Sequence, residues 1–226
     1  MKKLLLLLLC VPFIGFGQNV YIPDANFKAY LVGDTAINTN GDTEIQVSEA
    51  SLYNGSISCF SMGIQSLIGI EDFGSLTSLW CMDNQLTILD VSQNTSLIDL
   101  RCSDNSIASL DLSQNHNLVY FTCENNQLEC LNIANENNLA LVGDGDISNN
   151  PNLFCIEVDD STYMTNFGGY ILDNQQYFSN NCNNLCSTTS IQEHTTSKEL
   201  LKVTNLLGRE TKGTKNEVLF YIYDDG

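Results

Sequence analysis

Basic residues are scarce in this chain of 226 residues: nine Lys and Arg stand against 27 Asp and Glu, a formal net charge of −18. Recognition of phosphates needs clustered cations, so this balance excludes a nucleic-acid partner and an anionic membrane surface. Proline is nearly missing, with three residues, although a loop-rich chain normally punctuates with it. The only histidines are His116 and His194, and no nucleophile has a base at a useful spacing, so nucleophilic catalysis has no constellation to draw on. Carboxylates could form a glycosidase pair by type. However, Asp90 and Asp111 share a register with Asn132, which is the mark of a solvated ladder of turn residues. The chain is therefore read as a non-enzyme. Long apolar runs are limited to the first residues, where the run is shorter than the roughly 20 residues a membrane span needs.

That N-terminal run has the build of a secretory signal. Lys2 and Lys3 supply the positive region, Leu4 to Leu9 with Val11, Phe13, Ile14 and Phe16 the apolar stretch, and Gly15 and Gly17 the small residues before Gln18. Residues 1–17 are expected to be cleaved, taking Cys10 with them, and the rest to fold where disulfides form. A second boundary lies near Cys186. Residues 18–186 hold two basic and 21 acidic residues, whereas residues 187–226 hold five and six. A Ser/Thr-rich linker at 187–197 separates the two pieces.

Of the nine cysteines, several mark an internal repeat. Cys81, Cys102 and Cys123 recur every 21 residues, as do Asn84, Asn105 and Asn126, and then Leu86, Ile107 and Leu128. Leu89, Leu110 and Leu131, and Val91, Leu112 and Ile133, keep the same period. The unit L-x-x-L-x-C-x-x-N-x-I-x-x-L-x-L-x-x-N is the leucine-rich repeat pattern. Each coil gives a short strand with alternate residues inward, such as Leu100 and Cys102, while Asn105 satisfies backbone groups where the chain leaves the strand. No coil buries its own face, so stacking makes the core. An earlier coil fits with Ile57, Cys59, Ile64 and Leu67 and one inserted residue. A later one degenerates: Leu139 and Val142 hold register, then Leu153, Cys155, Ile156 and Val158 echo Leu128, Cys130, Leu131 and Ile133. The ladder Cys59, Cys81, Cys102, Cys123 is read as core thiols, because neighbouring strands place sulfurs in a row about 4.8 Å apart, not around a tetrahedral centre. The fold expected is an α/β solenoid with repeats over residues 51–160.

Solenoids need caps. In residues 18–50, Phe27, Tyr30 and Leu31 have helical spacing behind Pro23 and Asp24. An EF-hand-like loop follows: Asn38, Asn40 and Asp42 at positions 1, 3 and 5, a Glu44 carbonyl at 7 and Glu49 at 12. Asn38 stands where Asp is usual and Thr43 where Gly is, so weak, structural calcium binding is expected.

The 21-residue unit with a core cysteine resembles the internalin-like leucine-rich repeats of bacterial surface proteins. VYIPDANFKAYLV with its loop is similar to the N-terminal cap of leucine-rich repeat proteins from Bacteroidetes-type bacteria, and NPNLFCIEVDD (150–160) with YFSNNC (177–182) is similar to their C-terminal closing turn, so a C-terminal cap is expected over residues 161–186. Cys130, Cys155, Cys182 and Cys186 allow three disulfide connectivities. The resemblance implies Cys155 with Cys182, leaving Cys130 with Cys186; the rival sets Cys130 against Cys155. The tail at 198–226, with KVTNLLGRE and LFYIYDDG, resembles the C-terminal sorting domain of the type IX secretion system. That domain usually continues through a last strand, so a tail ending at Gly226 is expected to be truncated. The resemblance implies a protein secreted or displayed on the outer-membrane cell surface, with the type IX machinery as a transit partner.

The expected function is recognition of a protein or carbohydrate at the cell surface through the concave strand face, where Phe60, Trp80, Met82, Asp99, Arg101, Tyr120 and Glu124 project beside Ser58, Ser78, Ser103 and Thr122. Exposed aromatics on a rigid sheet are binding anchors. The other reading is a structural surface or matrix component without a defined ligand.

Overall fold

The computed structural model describes residues 18–137, 145–182 and 186, together with the backbone of 200–205 and 219–223. The signal segment, the linker at 187–197, and Leu139 and Val142 lie outside these residues. The chain divides into two units, Met1–Thr188 and Thr189–Gly226.

The first unit contains α1 (Ala25–Gly33), α2 (Val47–Leu52), β1 (Ser56–Ser58), β2 (Ser78–Trp80), β3 (Asp99–Arg101), β4 (Ser109–Asp111), β5 (Tyr120–Thr122), β6 (Cys130–Asn132), β7 (Cys155–Glu157), α3 (Ser161–Phe167) and β8 (Tyr177–Ser179). The second contains β9 (Leu200–Asn205) paired antiparallel with β10 (Leu219–Tyr223).

Two parallel sheets build the solenoid. The first runs β1-β2-β3-β5, with Ile57, Leu79, Leu100 and Phe121 in one register, all fully buried. The second runs β4-β6-β7-β8, aligning Leu110, Leu131, Ile156 and Phe178. Strands of three residues have little stability alone; each is held because its alternate side chain enters a core shared with the next coil. The sequence reading placed the first row of strands. It did not resolve the second row as a sheet, because three-residue strands between polar turns give no alternation to count.

The asparagine ladder closes each coil. Asn105 Nδ2 donates to the carbonyls of Cys81, Cys102 and Ser103 at 3.0–3.1 Å, and its Oδ1 accepts from Leu86 N at 2.9 Å. Asn84, Asn126 and Asn150 repeat the arrangement one coil away in each case. The residue before each is left-handed: Asp83, Asp104, Asn125 and Asn149 have φ of 53–57°. Asp and Asn tolerate that region better than other non-glycine residues, which accounts for the D-N and N-N pairs in the repeat. A second ladder on the far side links Asn115 Nδ2 to the carbonyls of Val91 and Asn94, and Asn135 Nδ2 to that of Asn115.

The caps grow from the same logic. Asp24 caps α1 by accepting from Asn26 N and Phe27 N on Oδ1, and its Oδ2 accepts from Gln65 N and Ser66 N of the first coil. Burial alone would raise this carboxyl, but the four backbone donors outweigh it and hold it below the usual value. At the other end, Cys130 is bonded to Cys186 and Cys155 to Cys182, with Cα separations of 5.4 and 5.7 Å. Cys130 and Cys155, close neighbours on β6 and β7, are not joined to each other.

Candidate recognition surface

The outward positions of the first sheet bring Trp80, Asp99, Arg101 and Tyr120 together. Pairing sets Trp80 beside Arg101 and Asp99 beside Tyr120. Asp99 is the organiser: its Oδ2 accepts from Trp80 Nε1 at 3.0 Å and from Arg101 Nη2 at 3.1 Å, and its Oδ1 accepts from Arg101 Nε at 3.2 Å. The guanidinium carbon then lies 4.7 Å from the Trp80 ring centroid and 4.9 Å from that of Tyr120, within cation–π range of both. Hydrogen bonding to Asp99 raises the Arg101 pKa, so the charge is permanent. All four side chains are half-buried. A planar cation between two rings, fixed by a bidentate carboxylate, is a rigid element that needs little ordering on binding.

Around it the other expected residues take different positions. Phe60 is 50% exposed and Met62, in the same turn, is 40% exposed, while Met82 on the next coil is half-buried. Glu124 is half-buried and its Oε2 accepts from Ser103 Oγ at 2.5 Å. Ser103, expected on the open face, is instead 2% exposed. Its hydroxyl, also 3.0 Å from Thr122 Oγ1, is held between Thr122 and Glu124 of the next coil. Beyond Tyr120 the sheet direction continues through Cys123 N to Asp146 O at 2.9 Å and an Asp146–Ile171 bridge, which adds Asp146 to this face. Sequence reasoning missed Met62 and Asp146; the stretch between Asn126 and Asp146 breaks the period of 21 that would have found the second.

The thiol ladder lies behind the same strands. Cys59, Cys81, Cys102 and Cys123 are buried and free. Cys81 and Cys102 donate to the carbonyls of Arg101 and Thr122 on the next strand at 3.5 and 3.4 Å. Burial pushes the Cys59 and Cys102 thiols up to about 12 and those of Cys81 and Cys123 well above the ordinary value, so these sulfurs stay protonated.

The EF-hand-like loop is closed by its own hydrogen bonds. Glu49 Oε1 accepts from Thr39 N at 2.8 Å, Thr39 Oγ1 at 2.9 Å and Asn40 N at 3.2 Å, while Oε2 accepts from Gln46 N at 3.0 Å at the start of α2. Burial would raise this carboxyl, but these donors together hold it below its ordinary value. Asp42 Oδ2 accepts from Asn40 Nδ2 and Gln46 Nε2, Asn38 Oδ1 from Gly41 N, and the Glu44 carboxylate pairs with Lys28 at 2.7 Å. The residue types suit a hard cation, yet the carboxylates face separate protein donors. Among the described residues no three His, Cys, Asp or Glu side chains converge as a metal shell.

No protein-family profile and no curated protein matches the chain. Solved structures similar to it include the functional domain of InlJ from Listeria monocytogenes, which includes a cysteine ladder, at 29% identity and a TM-score of 0.43, covering 62% of this chain and 33% of that one. An internalin, InlF, from the same organism is 16% identical with a TM-score of 0.47, covering 71% of this chain and 46% of that one. The chain thus spans about a third and about half of these two. The repeat is a leucine-rich solenoid with coils of 21 residues, as the in-register strands and the asparagine ladder define it. No described helix is long and apolar enough to cross a membrane.

Proposed function

We propose that this protein is a recognition module and that the outward face of its first sheet is the binding surface. The observation that carries this reading is the Trp80–Arg101–Tyr120 stack held by Asp99. Core demands do not explain a preorganised aromatic and cationic cluster on an outward face, whereas enrichment of Trp, Tyr and Arg is what binding centres show. Replacing Trp80 and Tyr120 together with Ala should abolish binding of a protein or glycan ligand while the solenoid stays folded by circular dichroism. Trp80 is the sole tryptophan, so its emission reports occupancy in the parent chain, and calorimetry reads the affinity of the double variant, which has no tryptophan. Unchanged affinity in the double variant moves the site elsewhere. A face that binds no member of either ligand class supports the alternative, a structural surface or matrix component.

Calcium at the loop of residues 38–49 is a separate proposal. A cation there must displace the donors now held by Asp42 and Glu49, so its affinity is weak and its role structural. The full chain should melt higher in millimolar calcium than in chelator, since a ligand of the folded state stabilises it by mass action. Equal melting removes calcium from the account.

Residues 1–17 and 198–226 are proposed to act as a secretory signal and a type IX sorting tail, with secretion or surface display as the result. A hairpin of β9 and β10 in its own unit is compatible with an addressing module. In a type IX-competent host, deleting the tail should leave the protein in the periplasm. A comparison form extended by a last strand controls for the ending at Gly226. Equal surface delivery of the extended and deleted forms would sink this localisation.

A further inference from the structure

We infer that the partner is a protein surface presenting Lys or Arg beside an apolar side chain, not a glycan; this rests on the recognition reading above and names its ligand class. Three observations converge on it.

The first concerns the rings. Sugars stack on a free, flat aromatic face. Here the Arg101 guanidinium already lies over both Trp80 and Tyr120, and Trp80 Nε1 is engaged by Asp99. The cluster offers an edge and a fixed charge pair rather than a stacking platform.

The second concerns charge. The only basic residues in 18–186 are Lys28 and Arg101, and each is neutralised within the fold, by Glu44 at 2.7 Å and by Asp99 at 3.1 Å. The acidic residues of this stretch, 21 in number, therefore dominate the field that an approaching molecule meets. On the face itself, Glu124 and Asp146 have no ion pair among the described residues; their carboxylates accept from Ser103 Oγ and Ser148 N. Positive potential on a partner is what complements this surface.

The third concerns the opposite margin of the same face. Phe60 and Met62 are half exposed where a soluble surface would normally be polar, and Met82 lies next to them. Methionine and phenylalanine together make an adaptable apolar seat. From Phe60 to Glu124 is three strand spacings, roughly 14 Å, which about four extended residues of a partner would span. An apolar anchor at one end and a cation at the other fit that distance.

The test titrates the full chain and each variant, followed by isothermal titration calorimetry, with a synthetic peptide alternating Lys and Leu, a matched peptide alternating Glu and Leu, an oligolysine, and a panel of purified neutral oligosaccharides. The Lys–Leu peptide should bind, and its affinity should fall by about tenfold between about 50 and about 500 mM salt. Oligolysine and the Glu–Leu peptide should bind at least about tenfold more weakly, the one lacking the anchor and the other the charge. Glu124→Gln with Asp146→Asn, and separately Phe60→Ser with Met62→Ser, should each weaken the Lys–Leu peptide by about fivefold or more, whereas Asp90→Asn with Asp111→Asn should not. Equal loss in that last variant shows diffuse attraction and overturns the inference, as does failure of the Lys–Leu peptide to bind. Oligosaccharide binding that Trp80→Ala with Tyr120→Ala removes also overturns it, while leaving the recognition face in place. Binding of either class that no substitution on this face alters sinks the recognition reading itself.

Discussion

Tyr170 fills the space that Gly145 leaves. The backbone of Gly145 follows Phe121 in the inward row of the first sheet, and a Cβ built there would lie 1.9 Å from Tyr170 Cε1. The Tyr170 ring sits 5.2 Å from Phe121 and 6.4 Å from Phe178, so one side chain closes the end of the core between the two sheets. Gly145→Ala forces the ring out and should destabilise the solenoid by about 2 kcal/mol or more, and Tyr170→Ala should cost about 3–5 kcal/mol. Urea unfolding measures both; a neutral Gly145→Ala would show that the ring has room to move.

Asn105 carries more of the fold than its size suggests. Asn105→Leu keeps volume but leaves the carbonyls of Cys81, Cys102 and Ser103 and the amide of Leu86 without their partner. The expected cost is about 3 kcal/mol, seen as a lower urea midpoint. A cost under about 1 kcal/mol would mean that the coil closes without the ladder.

Acid should loosen the N-terminal cap. The Asp24 and Glu49 carboxyls titrate below their unfolded values, so their stabilisation is complete above the ordinary carboxylate range and is lost as pH falls through the folded values. Protonating the other carboxylates meanwhile relieves self-repulsion and acts the other way. Comparison with Asp24→Asn isolates the cap: the wild-type chain should lose more of its thermal midpoint between about pH 6 and about pH 3 than the variant. Parallel loss in the two proteins would place the acid sensitivity elsewhere.

The ladder thiols should be inert in the folded protein. With Cys59 and Cys102 pushed up to about 12 and all four sulfurs buried, iodoacetamide at neutral pH should leave Cys59, Cys81, Cys102 and Cys123 unmodified until denaturant is added. Peptide mass mapping distinguishes them from Cys130, Cys155, Cys182 and Cys186, which should label only after reduction. Labelling of Cys102 in native buffer would show that the coils open there.

Much of this architecture is legible in the sequence because solenoid geometry is local. A period of 21 residues must put Leu79, Leu100 and Phe121 in one row and Asn105 and Asn126 in another, whatever lies far away in the chain. What escapes is where the period fails. Gly145 and Tyr170 substitute for one inward side chain from 25 positions apart, a compensation that no pattern of apolar residues announces. The candidate site is legible in membership and not in organisation. Alternation places Trp80, Asp99, Arg101 and Tyr120 on one face, but that Asp99 locks Trp80 and Arg101, and that Ser103 sinks between Thr122 and Glu124, follows from side-chain geometry.

The two disulfides also decide how the body carries mechanical load. They form nested covalent loops, Cys155–Cys182 inside Cys130–Cys186, with the outer bond directly before the segment that leads to the second unit. A pull on the chain beyond Cys186 is therefore delivered to β6 at Cys130 and continues toward the N-terminus, while residues 131–185 bear no tension. Coils before Cys130 carry the load through the hydrogen bonds between stacked strands and their asparagine ladder. The coil and cap after it are shielded, so under tension the coils before Cys130 should unravel and leave a covalently closed end.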